Sequence, residues 1–188
     1  LTLDQAKISR PMSGSRWVQR GADIDGEAAE DFSGWSASLS ADGSVLAVGA
    51  IWNDGNGESS GHVRVYAWNG SEWVQRGGDI DGEAAEDWSG NSASLSADGS
   101  VLAVGASGND GNGNDSGHVR VYAWNGSRWV QRGGDIDGEA AEDWSGSSAS
   151  LSADGSVLAV GAPWNDGNGS RAGHVRVYAW NGSEWVQR

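Results

Sequence analysis

The chain has 188 residues, a net charge of −14 at pH 7, one Lys and no Cys. That length holds one domain with a real core. The acidity excludes nucleic acid and anionic membrane surfaces as partners, because binding either needs a basic footprint that releases counterions. The absence of Cys excludes a disulfide frame and thiolate chemistry, and the longest apolar run, Val45 to Trp52, is too short for membrane insertion.

Residues 1–16 read as an N-terminal extension in which Leu1, Leu3 and Ile8 are suited to an edge strand. The chain begins on Leu1 with no charged n-region and apolar h-region, so it reads as a processed chain or as a piece of a longer one. From Trp17 onward it repeats. Trp17, Trp73, Trp129 and Trp185 each open Trp-Val-Gln-Arg, and the interval between them is constant. The repeats are 17–72, 73–128 and 129–184, and 185–188 starts another as strand D of the last unit. The second and third copies differ at seven positions, as do the first and third. No copy therefore owns a unique catalytic apparatus.

Within the second copy, Ser92 to Ser96 is a short alternating strand (A). Ala97-Asp98-Gly99 is a tight turn, since Asp and Gly accept positive φ. Val101 to Ala106 is an apolar strand (B), followed by the loop Asn109-Asp110-Gly111-Asn112-Gly113. His118 to Trp124 alternates with period two (C). Asn125-Gly126-Ser127 turns the chain into Trp129 to Arg132 (D). Trp124 and Trp129 flank that turn as a cross-strand pair worth ~0.5–1 kcal/mol. The acidic connection Asp135 to Asp143 then leads onward, with Glu-Ala-Ala-Glu predicted as one helical turn capped by Asp137.

Four-stranded meanders that recur at a fixed period of this size predict an all-β chain: a β-propeller-like array of three near-identical four-stranded antiparallel blades. The small residues of strand A suit the crowded centre of such an array. A β-trefoil or a β-prism is the alternative. Ser-Gly-x-Ser before strand A, Gly-Ala-x closing strand B and Gly-His-Val-Arg-Val-Tyr on strand C resemble the FG-GAP repeats of integrin-α-type propellers; Gly161-Ala162-Pro163 is the literal form. The resemblance implies an extracellular or cell-surface protein that binds through one loop face. Integrin-type repeats often carry a calcium loop in the A–B hairpin. Here that hairpin is only Ser40 to Ser44 and its copies, with one carboxylate, too few for an ion that wants six to eight oxygens.

In such a meander the B–C and D–A loops share one face. That face holds most of the acids, the inter-copy differences and the loop tryptophans Trp35, Trp52, Trp88, Trp144 and Trp164, which are the candidate ligand or partner contacts. No cofactor is required. Calcium is the ion that the acidic connection would take, through Asp23, Asp25 and Glu27, Asp79, Asp81 and Glu83, and Asp135, Asp137 and Glu139; a solvated turn is the simpler reading. His62, His118 and His174 share one position and are expected to hold a structural hydrogen bond to a neighbouring loop. Asn69, Asn125 and Asn181 match the glycosylation sequon, as do Asn114 and Asn168, although Asn-Gly is also a strong hairpin pair.

Nothing resembles a nucleophile–base pair, so the chain is expected not to be an enzyme. The functional expectation is an extracellular structural or adhesive repeat protein, with a multivalent lectin as the alternative. Three blades and a stray strand do not close a ring. The expected partners are therefore further copies, as a homo-oligomer, a longer repeat array or a filament, together with a surface protein or glycan.

Overall fold

The computed structural model describes residues 16–188; the expected edge strand of residues 1–16 lies almost wholly outside them. Three antiparallel sheets follow one another along the chain. The first contains β1 (Ser33–Leu39), β2 (Val45–Ala50), β3 (His62–Trp68), β4 (Trp73–Gln75) and β5 (Ile80–Asp81). The second contains β6 (Ser89–Leu95), β7 (Val101–Ala106), β8 (His118–Trp124), β9 (Trp129–Gln131) and β10 (Ile136–Asp137). The third contains β11 (Ser148–Leu151), β12 (Val157–Ala162), β13 (His174–Trp180) and β14 (Trp185–Gln187). Each is a four-stranded meander, so the chain is a propeller-like array of three blades.

The outer strand is longer than the sequence suggests. β4 pairs with the end of β3 at Trp68↔Trp73, and β5 returns to its start at His62↔Asp81 and Val63↔Ile80. The two pieces form one interrupted edge. The acidic connection is thus partly strand, because Ile80 is apolar and finds Val63 opposite. The remaining Glu-Ala-Ala-Glu forms a turn rather than a helix, and its cap lies downstream. Asp87 accepts hydrogen bonds from the backbone N–H groups of Glu83 and Ala84 at 2.9 and 3.0 Å.

Alternation along β8 sorts its side chains between two neighbours. Val119 and Val121 face the third blade, packing with Leu158, Val160 and Tyr178. Tyr122 faces the first blade, packing with Val63 and Val65. The core is therefore not inside any sheet but between sheets. Strand A sits where the blades come closest. Ser94 Oγ accepts the Leu151 N–H of the next blade at 3.0 Å, and Ser92 Oγ donates to Gly146 O at 2.8 Å. A methyl group at Gly105 would collide with that same Gly146 carbonyl, as one at Gly49 would with the Gly90 carbonyl, which explains the glycine before the end of the first two B strands.

On the outer strands the tryptophans pack in pairs, Trp68 and Trp73 edge-on with centroids 5.4 Å apart and the Trp124/Trp129 and Trp180/Trp185 pairs tilted at 5.5 Å. Arg76 lies 4.8 Å from the Trp124 ring centre of the next blade and donates to Gly99 O, while Trp129 Nε1 donates to Arg76 O at 2.9 Å. Each such arginine ties one blade to the following one, with the cation over an indole face adding about 0.5–1 kcal/mol. No helix among the described residues is long and apolar enough to cross a membrane.

Identical sequence in different surroundings gives a direct stability test. Leu95 is 7% exposed, under the first blade, whereas its counterpart Leu39 is 56% exposed. Leu95→Ala is expected to cost about 2–4 kcal/mol in urea unfolding, and Leu39→Ala to stay within about 0.5 kcal/mol. Equal losses would mean that Leu39 is buried in solution.

Candidate functional site

The B–C and D–A loops of each blade are locked together by a buried carboxylate. Asp87 accepts from Asn109 Nδ2 at 3.2 Å as well as from the turn amides, and Asp143 accepts from Asn165 Nδ2 at 2.8 Å. Asn112 Nδ2 reaches across to the Gly138 and Glu139 carbonyls of the following connection. This side-chain scaffold holds backbone that L residues rarely adopt. Phe32, Trp88 and Trp144 each sit at φ 54°, and Glu30, Glu86 and Glu142 at 64–69°. Bulky residues in the left-handed region carry strain, and such positions cluster at functional sites.

The loop tryptophans do converge on one face. Trp144 stacks on Trp164 with centroids 4.2 Å apart and planes 9° from parallel, and Trp88 meets Trp144 edge-on at 5.8 Å. In the first blade, Trp52 packs against Phe32 at 4.4 Å and Trp35 lies 6.5 Å from Phe32. The two groups differ in what they leave open. Trp164 carries the Arg171 guanidinium 4.5 Å from its centroid, so Trp144 and Arg171 between them cover the ring. Ser59 stands at the Arg171 position in the first copy, and Phe32, Trp35 and Trp52 are all about half exposed. A cleft of about 490 Å³ runs beside Trp164 between Glu142, Asp166 and Arg171. Its counterpart beside Trp52, lined by Glu30, Asp54 and Glu58, measures about 320 Å³. In the second copy Gly108 replaces the tryptophan, and the Trp88 ring fills the space.

The acidic connection does not gather its own three carboxylates. Being drawn out as strand, it cannot wrap a point as a calcium loop does. Asp79 instead joins Glu27 and His62, and Asp135 joins Glu83 and His118. Within each group the ligand atoms lie within 4.8 Å of one another, and no other such group of three occurs among the described residues. The same regrouping leaves Asp23, Asp25, Asp81, Asp137 and Glu139 outside a three-residue ligand set. The backbone oxygens of Asp25, Asp81 and Asp137 accept from Arg64, Arg120 and Arg176 of the next blade.

The histidines also depart from expectation. Neither ring nitrogen of His118 makes a hydrogen bond among the described residues; Nδ1 lies 3.9 Å from Glu83 Oε2, and Nε2 is buried without a partner. Burial, reinforced by Arg120, pushes the His118 imidazole below its usual pKa, and burial does the same at His62. Burial pushes the Tyr122 hydroxyl up to about 12. The alternation His118-Val-Arg120 was the available clue: residues two apart on a strand share a face, here the one turned to Glu83.

Asn69, Asn125 and Asn181 shape their hairpins. Asn125 Oδ1 accepts from Ser127 N, Ser127 Oγ and Arg128 N. Asp42 does likewise in the A–B turn, accepting from Ser40 Oγ, Ser44 N and Ser44 Oγ.

No family model matches the chain, and no curated protein matches it. Solved structures that share its fold include the following three. A Bacteroides uniformis protein described as a 6-phosphogluconolactonase is 13% identical over 81% of this chain, with a TM-score of 0.54. Hydrazine synthase of Kuenenia stuttgartiensis is 16% identical over 92%, at 0.52, and Saccharomyces cerevisiae Sqt1 is 14% identical over 85%, at 0.50. The chain spans 38%, 38% and 35% of those three chains, little more than a third in each case. At these identities the likeness shows a propeller-like fold and nothing of activity. It does correct the expectation that the chain is not an enzyme, since the same fold is found in a chain that carries an enzyme's name. Neither the fold nor the missing nucleophile–base motif excludes catalysis.

The A–B turns predict an acid limit. Hydrogen bonds from Ser40 and Ser44 hold Asp42 at a pKa of about 2, and those from Ser152 and Ser156 hold Asp154 at about 2, against an ordinary 3.8. A carboxylate pKa lowered by folding adds stability that is complete above the unfolded value and disappears as pH falls through the folded one. Melting temperature should therefore fall between about pH 4 and pH 2. Asp42→Asn with Asp154→Asn should flatten that part of the profile, and an unchanged slope would count against the turn bonds as its source.

Proposed function

We propose that the chain is part of an extracellular, self-associating propeller array, in which the exposed blade faces at its two ends dock on further blades of the same repeat. One observation carries this reading. Val175 and Val177 on β13 are 66% and 37% exposed, while Val119 and Val121 at the same positions of β8 are 0% and 1% exposed. The sequence His-Val-Arg-Val-Tyr is the same in both strands. What differs is the neighbour.

The repeat itself names the occupant. Within the chain, Val45, Ala47, Val63 and Val65 of one blade pack against Leu95, Leu102 and Tyr122 of the next. The third blade presents the first half of that contact, and the first blade, through Leu39 and Leu46, presents the second. The two faces are complementary rather than self-matching, so contact between copies is head to tail and closes a ring or extends a filament. The extracellular setting is supported by the FG-GAP-like motifs and the repeated sequons.

Analytical ultracentrifugation of the 188-residue chain should show a mass that rises with concentration. Val175→Asp with Val177→Asp should return the monomer with unchanged circular dichroism. A wild-type monomer at all concentrations would overturn the proposal.

A lectin is the second reading, favoured by the uncapped aromatic group Phe32, Trp35 and Trp52 beside acids that suit sugar hydroxyls. On a glycan array Trp52→Ala should then abolish binding, while Trp164→Ala, whose ring is already covered, should leave it. Absence of binding to every glycan would remove this reading.

A further inference from the structure

We propose that Glu83, His118 and Asp135 bind a zinc-like divalent transition-metal ion between the first and second blades, and that Glu27, His62 and Asp79 bind another one blade earlier. The ligands of each set come from different parts of the chain. Glu83 lies in the connection leaving β5, His118 opens β8, and Asp135 precedes β10. His118 is 1% exposed and faces two carboxylates without a hydrogen bond to either. Its Nδ1 is 3.9 Å from Glu83 Oε2. That separation is too long for a hydrogen bond, and a tetrahedral ion with bonds of about 2.0–2.2 Å to each atom would draw the two together to about 3.3–3.6 Å, a small side-chain movement.

The surrounding residues hold the ligands rather than compete for them. Arg120 approaches the other Glu83 oxygen at 3.3 Å, and Gln131 Nε2 donates to Asp135 Oδ1 at 2.6 Å. One oxygen of each carboxylate is left for the ion. Gln75 and Arg64 do the same for Asp79 and Glu27. Such outer partners orient the ligands of metal sites. The chemistry of the set selects the ion. One imidazole and two carboxylates suit zinc with an open position for solvent, whereas calcium seeks six to eight oxygens.

The third repeat is a built-in control. His174 has Glu139 at 3.7 Å, but among the described residues no second acid joins them in a three-residue ligand group. Two sites are expected from three histidines.

Metal-stripped chain titrated calorimetrically with Zn²⁺ should take up two equivalents and melt at a higher temperature. His118→Gln should reduce uptake to one equivalent, and adding His62→Gln should reduce it to none. Side-chain NMR should show the His62 and His118 rings shifting while His174 does not. If a histidine variant fails to fold, Asp79→Asn with Asp135→Asn replaces exposed groups and should also weaken binding at least tenfold. No uptake, two equivalents still taken up by the double histidine variant, unchanged affinity in the double aspartate variant, or tighter binding of Ca²⁺ than of Zn²⁺ would each overturn the proposal.

Discussion

The structure depends on burial between blades. A four-stranded sheet of this sequence has two apolar faces and cannot cover either by itself. Val119 and Val121 need Leu158 and Val160 behind them, and Tyr122 needs Val63 and Val65 in front. Everything else follows from making that contact close. Strand A is built of serine and alanine so that adjacent blades can meet at their inner edges. Gly105 has no side chain because the next blade's backbone occupies the space. Arg76 leaves its own blade to lie on an indole of the following one. In such quasi-one-dimensional assemblies stability is a sum of unit and interface terms, and in this chain both buried apolar clusters are built from residues of adjacent blades.

Much of this was legible in the residues. Ala97-Asp98-Gly99 and Asn125-Gly126-Ser127 declare hairpins through their need for positive φ, and the alternation of His118 to Trp124 declares a strand with two distinct faces. The loop tryptophans could be placed on one face by counting turns. What escaped had a common cause: it depends on the neighbouring blade. Ile80 and Asp81 look like loop until Val63 and His62 are set beside them. Asp79, Asp81 and Glu83 look like a ligand set because they are close in sequence, yet the extended backbone sends Asp79 and Glu83 to different clusters. The cap of the Glu-Ala-Ala-Glu turn was expected upstream, at Asp137, because sequence favours the nearest acid before a turn. The buried acid that fulfils this role, Asp143, comes after it and is fixed by Asn165. Local chemistry was readable; partners drawn from distant parts of the chain were not.

The loop face combines rigid support with concentrated variation. The carboxylate–carboxamide clamps at Asp87 and Asp143 recur without change, and so do the left-handed backbone positions. On this fixed frame the copies exchange Trp52 for Gly108, Trp35 for Asn91 and Ser59 for Arg171. Each exchange alters which aromatic ring is open and which is covered. Two open clefts and one filled by the Trp88 ring therefore present different surfaces on the same construction, which is how a repeated scaffold acquires distinct contacts without disturbing its sheets.

The near-identity of the interfaces has a consequence for folding. The residues that join one blade to the next are the same at both junctions, so the core gives a folding chain no address by which to tell one blade from another. Blade three can meet blade one as well as blade two does, within one chain or between two, and near-identical neighbours are prone to such misassembly and domain swapping. The order of blades is imposed by tether length alone, because the connections from β5 to β6 and from β10 to β11 are short. At high local concentration, exchange between chains becomes a competing route to the same set of contacts.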